Sequence, residues 1–309
     1  MSKFVVTGGA GFIGSHVVSE LLRKKHQVTV IDNLSSGKKE NLKVYLKKIK
    51  FIKGDITNLP FLKKSFRGHD YVIHLAALVS LPESVSNPLE YHKVNVTGTF
   101  NVFEAARLAK VKKVVFASSS AVYGQIDNKP VKENKSLNPI SPYGASKLLG
   151  EQYAQMFYEV YDLPTVSLRF FNVYGPKQSL KSHYASVIPK FAFSMQRALK
   201  PPIHGTGHQI RDFVYVTDIV QAILLSVKCK KADGLALNVA SGKSYQVLDI
   251  VSNINKLLKT DIKATFTPPR PGDVFITKAD INRIKRIIKY KPLTRFKKGL
   301  SKTLQYYKG

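Results

Sequence analysis

Through the first 172 residues, short runs in which nearly every position is apolar alternate with longer stretches whose apolar residues recur every three or four positions. The runs KFVVTG, QVTVID, KFIKGD, DYVIHLAA, KVVFASSS and TVSLRFFN read as strands. A continuous apolar run bounded by Gly, Asp or Ser suits a strand covered on both faces. Helical periodicity between the runs predicts helices over about 12–25, 59–66, 88–110 and 141–161. Asn87-Pro88 and Ser141-Pro142 open the last two. In each, a side-chain oxygen can cap the first turn, and proline at the first helical position gives up an N–H that has no carbonyl partner there. This alternation predicts an α/β fold with a doubly wound parallel sheet.

After about Asn172 the rhythm loosens. Loops rich in Gly, Pro and His (KPPIHGTGHQ, TPPRPGD) separate helical patterns near 217–228 and 246–259 and a basic C-terminal pair. Two parts are expected: a sheet domain over 1–172, and over 173–309 a smaller α/β lobe, some of whose segments return to the sheet.

Composition narrows the class. A chain of 309 residues, 44% apolar, can bury a sizeable core. Its single cysteine, Cys229, excludes an internal disulfide, fits a reducing compartment and suits packing better than nucleophilic chemistry. No stretch approaches the ~18 unbroken apolar residues of a membrane span. The N-terminus lacks the apolar core of a signal peptide, so a soluble, cytoplasmic protein is expected. Charge is the unusual property: 49 Lys+Arg against 20 Asp+Glu give +29. The excess is densest over 38–50 and 278–308. Such a field attracts polyanions, yet solvated helix faces give the same composition and no nucleic-acid motif accompanies it. Nucleic acid is therefore not the expected partner.

The segment VVTGGAGFIGSH sets Gly8, Gly11 and Gly14 between the first strand and the first helix. The tight turn needs Gly8, close approach of a pyrophosphate needs Gly11, and close strand–helix packing needs Gly14. Unpaired N–H groups at the helix start then face the anion. The spacing is G-x-x-G-x-x-G, so the glycines alone would also fit a packing turn. Asp32 ends the second strand, where a carboxylate can accept both hydroxyls of an adenosine ribose and would repel a 2′-phosphate. Asp55 ends the third, where it can reach an adenine. Together they predict a Rossmann-type domain that binds NAD rather than NADP.

SPYGASK places Tyr143 and Lys147 on one face of a helix. A phenol of pKa about 10 is a poor base at neutral pH, but a neighbouring ammonium stabilises the phenolate. Such a tyrosine can take a proton from a sugar hydroxyl as hydride leaves the same carbon. FASSSAVYG puts three serines at a strand end, where α/β sheets place their ligands. His204 and His208 stand in a glycine loop without a carboxylate, so no metal is expected.

These segments resemble the extended short-chain dehydrogenase/reductase family, and within it the NAD-dependent nucleotide-sugar 4-epimerases. The resemblance runs over essentially the whole chain through TGGAGFIGS, DNLSSG, HLAA, VNVTGTFNVFEAA, FASSSAVYG, SPYGASKLLGE, LRFFNVYGP, RDFVYVTD and PPRPGDV. It implies Tyr143 as base, Lys147 on the nicotinamide ribose and Ser119 on the sugar 4-oxygen, with Ser118 structural. It implies a cofactor site of Gly8, Gly11, Phe12, Ile13, Gly14, Asp32, Asn33, Ser36, Gly37, Asp55, Ile56, Leu75, Ala76, Ala77, Asn95, Tyr143, Lys147 and Phe171. For the nucleotide-sugar it implies Ser119, Asn172, Val187, Arg211, Arg270 and Asp273, with the arginines on the diphosphate. Arg211 read alone fits a surface ion pair with Asp212 equally well.

The same resemblance separates reactions. Related 4,6-dehydratases usually carry Asp-Glu after the catalytic Ser or Thr, and UDP-glucuronate decarboxylases keep a Glu at the second position. Here those positions are Ser120 and Ala121. What remains is oxidation at C4, turning of the 4-keto sugar, and return of hydride to its other face with NAD regenerated. The implied substrate is UDP-glucose/UDP-galactose. Thr277 falls at a position where a small residue admits N-acetyl sugars, UDP-GlcNAc/UDP-GalNAc; Pro202 and His204 fall where contacts vary and discriminate nothing. Alternatives are a UDP-glucuronate 4-epimerase, another nucleotide-sugar dehydratase or reductase, or a non-catalytic nucleotide- or polyanion-binding protein. The helices near 88–110 and 141–161 are, in the family, the four-helix bundle of a homodimer.

Overall fold

In β1 (Lys3–Thr7) the side chains of Phe4 and Val6 enter one apolar layer and that of Val5 the other. That alternation repeats along the sheet, because successive residues of a strand face opposite sides. The computed structural model describes residues 1–180, 187–269 and 274–308. The strands β2 (Gln27–Asp32), β3 (Lys50–Lys53), β4 (Tyr71–His74), β5 (Lys113–Ser119) and β6 (Thr165–Phe170) run parallel to β1.

Helices cover both faces. On one side lie α1 (Phe12–Arg23) and, later in the chain, α8 (Val216–Lys228) and α10 (Asn282–Ile288), which bury Val17, Leu21, Ile219, Ile223 and Ile284. On the other lie α2 (Leu59–Ser65), α5 (Gly98–Leu108) and α6 (Pro142–Tyr161), which bury Leu62, Phe103 and Phe157. Burying large side chains of this kind contributes about 1.5–3 kcal/mol each before chain entropy is counted. The short helices α3 (Leu81–Ser86) and α4 (Pro88–Tyr91) bridge β4 to α5.

The segment expected as one helix over 88–110 is divided. Between α4 and α5 the residues His92–Thr97 form a π-helical turn. Asn95 sits inside it, and its side chain takes up the N–H of Leu78 at 2.8 Å and donates to the Leu78 carbonyl and to Ser146 Oγ. A π turn is a common way for a helix to aim one side chain inward.

The later residues build β7 (Asn172–Tyr174), α7 (Val187–Met195), β8 (Pro202–His204), β9 (Ile210–Tyr215), β10 (Leu235–Val239) and β11 (Ser244–Gln246). They are followed by α9 (Val247–Leu258), β12 (Thr265–Thr267), β13 (Ile276–Thr277) and α11 (Phe296–Tyr307). β10 joins the main sheet beside β6, giving the order β10-β6-β5-β4-β1-β2-β3. A second sheet orders β11-β9-β13, with β7 also on β9, and β8 pairs with β12. A third apolar cluster, including Phe191, Ile250 and Leu300, fills this lobe. The fold is a Rossmann-type doubly wound sheet with a smaller α/β lobe beyond the carboxyl ends of its strands.

Candidate active site

The glycine turn is shaped by what a side chain would strike. Gly8 stands at φ +70, and a Cβ there would come within 2.7 Å of the Ala76 backbone. A Cβ on Gly14 would collide with the Gly8 carbonyl, so α1 can approach β1 only because both are glycine. Phe12 and Ile13 form the first turn of α1, directly after Gly11. This open turn fits a pyrophosphate.

Around it the carboxylates are fixed. Asp32 accepts from Ala10 N at 2.9 Å and Leu34 N at 2.8 Å. Burial pushes it above the ordinary carboxylate range, and those two bonds counter part of the rise. Gly37 lies against that carboxylate, where a side chain would not fit; Ser36 beside it is exposed. Asp55 accepts from Thr57 N, Thr57 Oγ1 and Asn33 Nδ2. Burial would raise it, but these bonds and the charge of Lys93 hold it below its usual value. Ile56 is buried under α5 and packs on Gly98. Leu75, Ala76 and Ala77 follow β4, half-buried, with the first two amides bonded to Thr7.

The reacting groups come from β5 and α6. Ser119 ends β5, and its Oγ caps the short turn Ser120–Tyr123 by accepting from Ala121 N at 3.2 Å. Ser141 caps α6 in the same manner through Gly144 N. That cap sets Tyr143 in the first turn, on the side of the helix near Ser119. Burial pushes the phenol up and the nearby Ser119 hydroxyl offsets part of the rise. One turn on, Lys147 is 3% exposed, and burial pushes its amine down to about 7. Its Nζ donates to the Ala117 carbonyl and lies 5.1 Å above the Phe116 ring.

The residues expected on the sugar side come from the second sheet. Asn172 Nδ2 donates to Thr277 Oγ1 at 2.9 Å, joining positions 105 apart in sequence. Arg211 pairs in register with Thr277 across β9 and β13, is largely buried, and donates to the Phe275 carbonyl. Its sequence neighbour Asp212 is held by Ser241 and Gly242. Val187 begins α7, and Phe171 is buried with its amide on Val239. Arg270 and Asp273 lie outside the described residues. His204 meets Thr267 and His208 meets Gln246; among the described residues no group of three or more metal-ligating side chains is present.

Sequence reasoning missed His74, Thr7 and Thr99. They form a buried chain in which the imidazole stands 2.7 Å from one hydroxyl and 3.0 Å from the other. It also missed Ser146, the partner of Asn95. His74 lies within the quoted HLAA and Ser146 within SPYGASK, but a motif does not show which way a side chain points.

A family model described as GDP-mannose 4,6 dehydratase matches residues 5–303. The chain belongs to this family, the extended short-chain dehydrogenase/reductases. Among its members, the UDP-glucose 4-epimerase of Mycolicibacterium smegmatis is 36% identical over 311 residues, covering 99% of this chain and 98% of that one. The solved UDP-N-acetylglucosamine 4-epimerase of Methanobrevibacter ruminantium, in complex with UDP-N-acetylmuramic acid, is 42% identical. It superposes with a TM-score of 0.94 over 99% of this chain and 98% of that one. The UDP-glucose 4-epimerase of Thermus thermophilus, solved with NAD, is 32% identical with a TM-score of 0.92, covering 99% of both chains. Within the short-chain dehydrogenase/reductases the chain thus groups with the UDP-sugar 4-epimerases. No helix among the described residues is long and apolar enough to cross a membrane.

Proposed function

We propose that this protein is an NAD-dependent isomerase that inverts the C4 hydroxyl of a UDP-hexose. The observation that carries the reading is the meeting of Ser119, Tyr143 and Lys147 at the carboxyl end of β5, with Ser120 and Ala121 in the following turn. Neither of those two residues carries the carboxylate that an elimination would use, and Ala121 can act as neither acid nor base, although the matching family model is named for a dehydratase.

The chain's own groups divide the work. Gly8, Gly11 and Gly14 would hold the pyrophosphate of NAD, Asp32 its adenosine ribose and Asp55 its adenine. When bound, NAD supplies the hydride acceptor and donor at C4. Tyr143 Oη takes the proton of the 4-hydroxyl and returns it after the sugar has turned. Ser119 Oγ shares that proton and orients the 4-oxygen. Lys147 favours the phenolate electrostatically and holds the nicotinamide ribose. Asn172 and Arg211 would hold the UDP-sugar, Arg211 through charge-assisted bonds to its diphosphate. Residues 1–172 carry the cofactor and the reacting groups, and 173–309 mainly the nucleotide-sugar.

The small Thr277 beside Asn172 supports acceptance of N-acetyl sugars as well as plain hexoses. A homodimer through α5 and α6 is supported by apolar groups left exposed on them, among them Leu108, Leu149 and Tyr161. The deciding experiment incubates purified protein separately with UDP-glucose, UDP-GlcNAc and UDP-glucuronate and follows C4 by NMR. Inversion of either of the first two is expected. Inversion of UDP-glucuronate alone would move the assignment to a glucuronate epimerase, and inversion of none would end the reading.

A further inference from the structure

Helix α6 meets β5 through three side chains spaced four apart. Tyr143 lies near Ser119, Lys147 bonds the Ala117 carbonyl, and Glu151 accepts from Ser118 Oγ at 2.5 Å. Residues at i, i+4 and i+8 lie along one helix face, so these are rungs of one ladder. The third rung has no place in the reaction itself. It is nevertheless the most elaborately built: Glu151 and Arg169 are both buried, and the guanidinium meets the carboxylate through two nitrogens, at 2.9 and 2.7 Å.

Arg169 Nη1 donates in addition to Tyr123 Oη at 2.8 Å and to the Glu133 carbonyl at 3.1 Å. Tyr123 in turn donates to Asn238 Oδ1 at 2.6 Å. The network thereby ties α6, β5, β6, β10 and the turn after Ser119 to one another. A buried ion pair adds little net stability over a well-packed apolar pair, because both charges lose their water. Its geometric specificity is what an apolar pair would lack.

We propose that the Glu151–Arg169 pair, acting through Ser118, is a positioning device that sets the strand end against α6 and so holds the Ser119 hydroxyl near Tyr143. The proposal rests on the assignment of Tyr143 as base. These are positioning residues, since none of the three touches the reacting atoms. Gly150 serves the same contact: a Cβ there would press into the Phe116 ring, so the helix can lie directly on the strand.

The test compares Glu151→Gln and Ser118→Ala with the unaltered holoprotein. A lapse in positioning lowers kcat about tenfold with KM nearly unchanged, since small misplacements of reacting groups cost rate steeply. It also moves the acidic limb of the pH–rate profile upward, because the nearby Ser119 hydroxyl offsets part of the rise that burial gives the phenol. The sign is diagnostic. Removing the negative charge of Glu151 would by itself lower the Tyr143 pKa, so an upward shift reports the displaced hydroxyl. The other titratable groups around Tyr143, namely Lys147 on its own helix, Tyr91 on α4 and His74 on β4 beside Lys147, are unaltered in both variants.

An ultraviolet difference titration against the Tyr143→Phe counterpart of each protein reads the same ionisation without turnover. It decides the positioning even if no sugar is inverted and the functional reading fails. Should Glu151→Gln not fold, Ser118→Ala, which removes one hydroxyl and leaves the ion pair, decides alone. Unchanged kcat, limb and titration midpoint, with or without a lower Tm, would overturn the proposal.

Discussion

Lys147 Nζ donates to the carbonyl oxygen of Ala117 at 2.9 Å, across the contact between α6 and β5. The bond is local in space and distant in sequence, and it places a burial-weakened cation one helical turn from Tyr143. Lys147→Met keeps the apolar stem and removes both the bond and the charge. Turnover is expected to fall about a hundredfold, at the lower end of what positioned acid–base groups contribute. Retained NAD, measured by absorbance after denaturation, is expected to fall as well. Full NAD content with normal kcat would show that the amine serves only the helix–strand contact.

Tyr143→Phe removes one oxygen and leaves the ring in place. On the proposed mechanism that oxygen carries the proton, so a loss of roughly 10²–10⁴ in kcat is expected with NAD still bound. The residual rate should lack the acidic limb, because no phenol remains to ionise. Near-normal inversion in this variant would refute Tyr143 as base.

His74 gives a stability prediction with a definite sign. It is fully enclosed between Thr7 and Thr99, and burial, with a contribution from the Lys147 charge, pushes its pKa down to about 3. The unfolded chain binds a proton near the ordinary pKa of about 6.5. Between those values the unfolded state holds more protons, so stability is full above pH 6.5 and is lost as pH falls toward 3. The slope is about 1.4 kcal/mol per pH unit for one proton. His74→Gln should remove this contribution, so urea melts at two pH values within the window should show a flatter dependence. An unchanged slope would place the acid sensitivity elsewhere.

The inner strands β1, β2, β4, β5 and β6 were legible because they are largely buried on both faces and read as nearly unbroken apolar runs. The edge strand β3 is not buried and shows only as the short run KFIK. The starts of α4 and α6 were legible too, each with proline at the first helical position. Ser141 caps α6 as expected, whereas Asn87 makes no side-chain cap and instead donates to Ser86 Oγ. The π turn at 92–97 was not legible. Its cause is tertiary: Asn95 must reach Leu78 and Ser146, which periodicity along 88–110 does not encode. β10 was expected only as an unspecified return to the sheet, because nothing local in Leu235–Val239 says that it pairs with β6. Of the site, the residue types were legible and the pairings were not. FASSSAVYG shows three serines, but only the folded chain shows Ser119 near Tyr143 and Ser118 on Glu151. That Asn172 and Thr277 meet follows from β7 and β13 both lying on β9, a topology no local pattern announces.

Substrate range turns on that last contact. Thr277 is 9% exposed, and its hydroxyl accepts from Asn172, whose amide also donates to the Asp212 carbonyl. The volume beyond a short side chain is what a C2 substituent would need. Thr277→Tyr fills that volume with a ring and takes away the hydroxyl partner of Asn172. Overpacking of this kind costs about 1–3 kcal/mol when a bulky group must also be accommodated. In kcat/KM that is about fivefold to more than a hundredfold, falling on the N-acetyl sugar and largely spared for the smaller hexose. The comparison is made within one variant, UDP-GlcNAc against UDP-glucose, so a general loss of stability cancels in the ratio. A ratio equal to that of the unaltered protein would show that the C2 substituent points away from β13, and that Thr277 has no part in selecting the sugar.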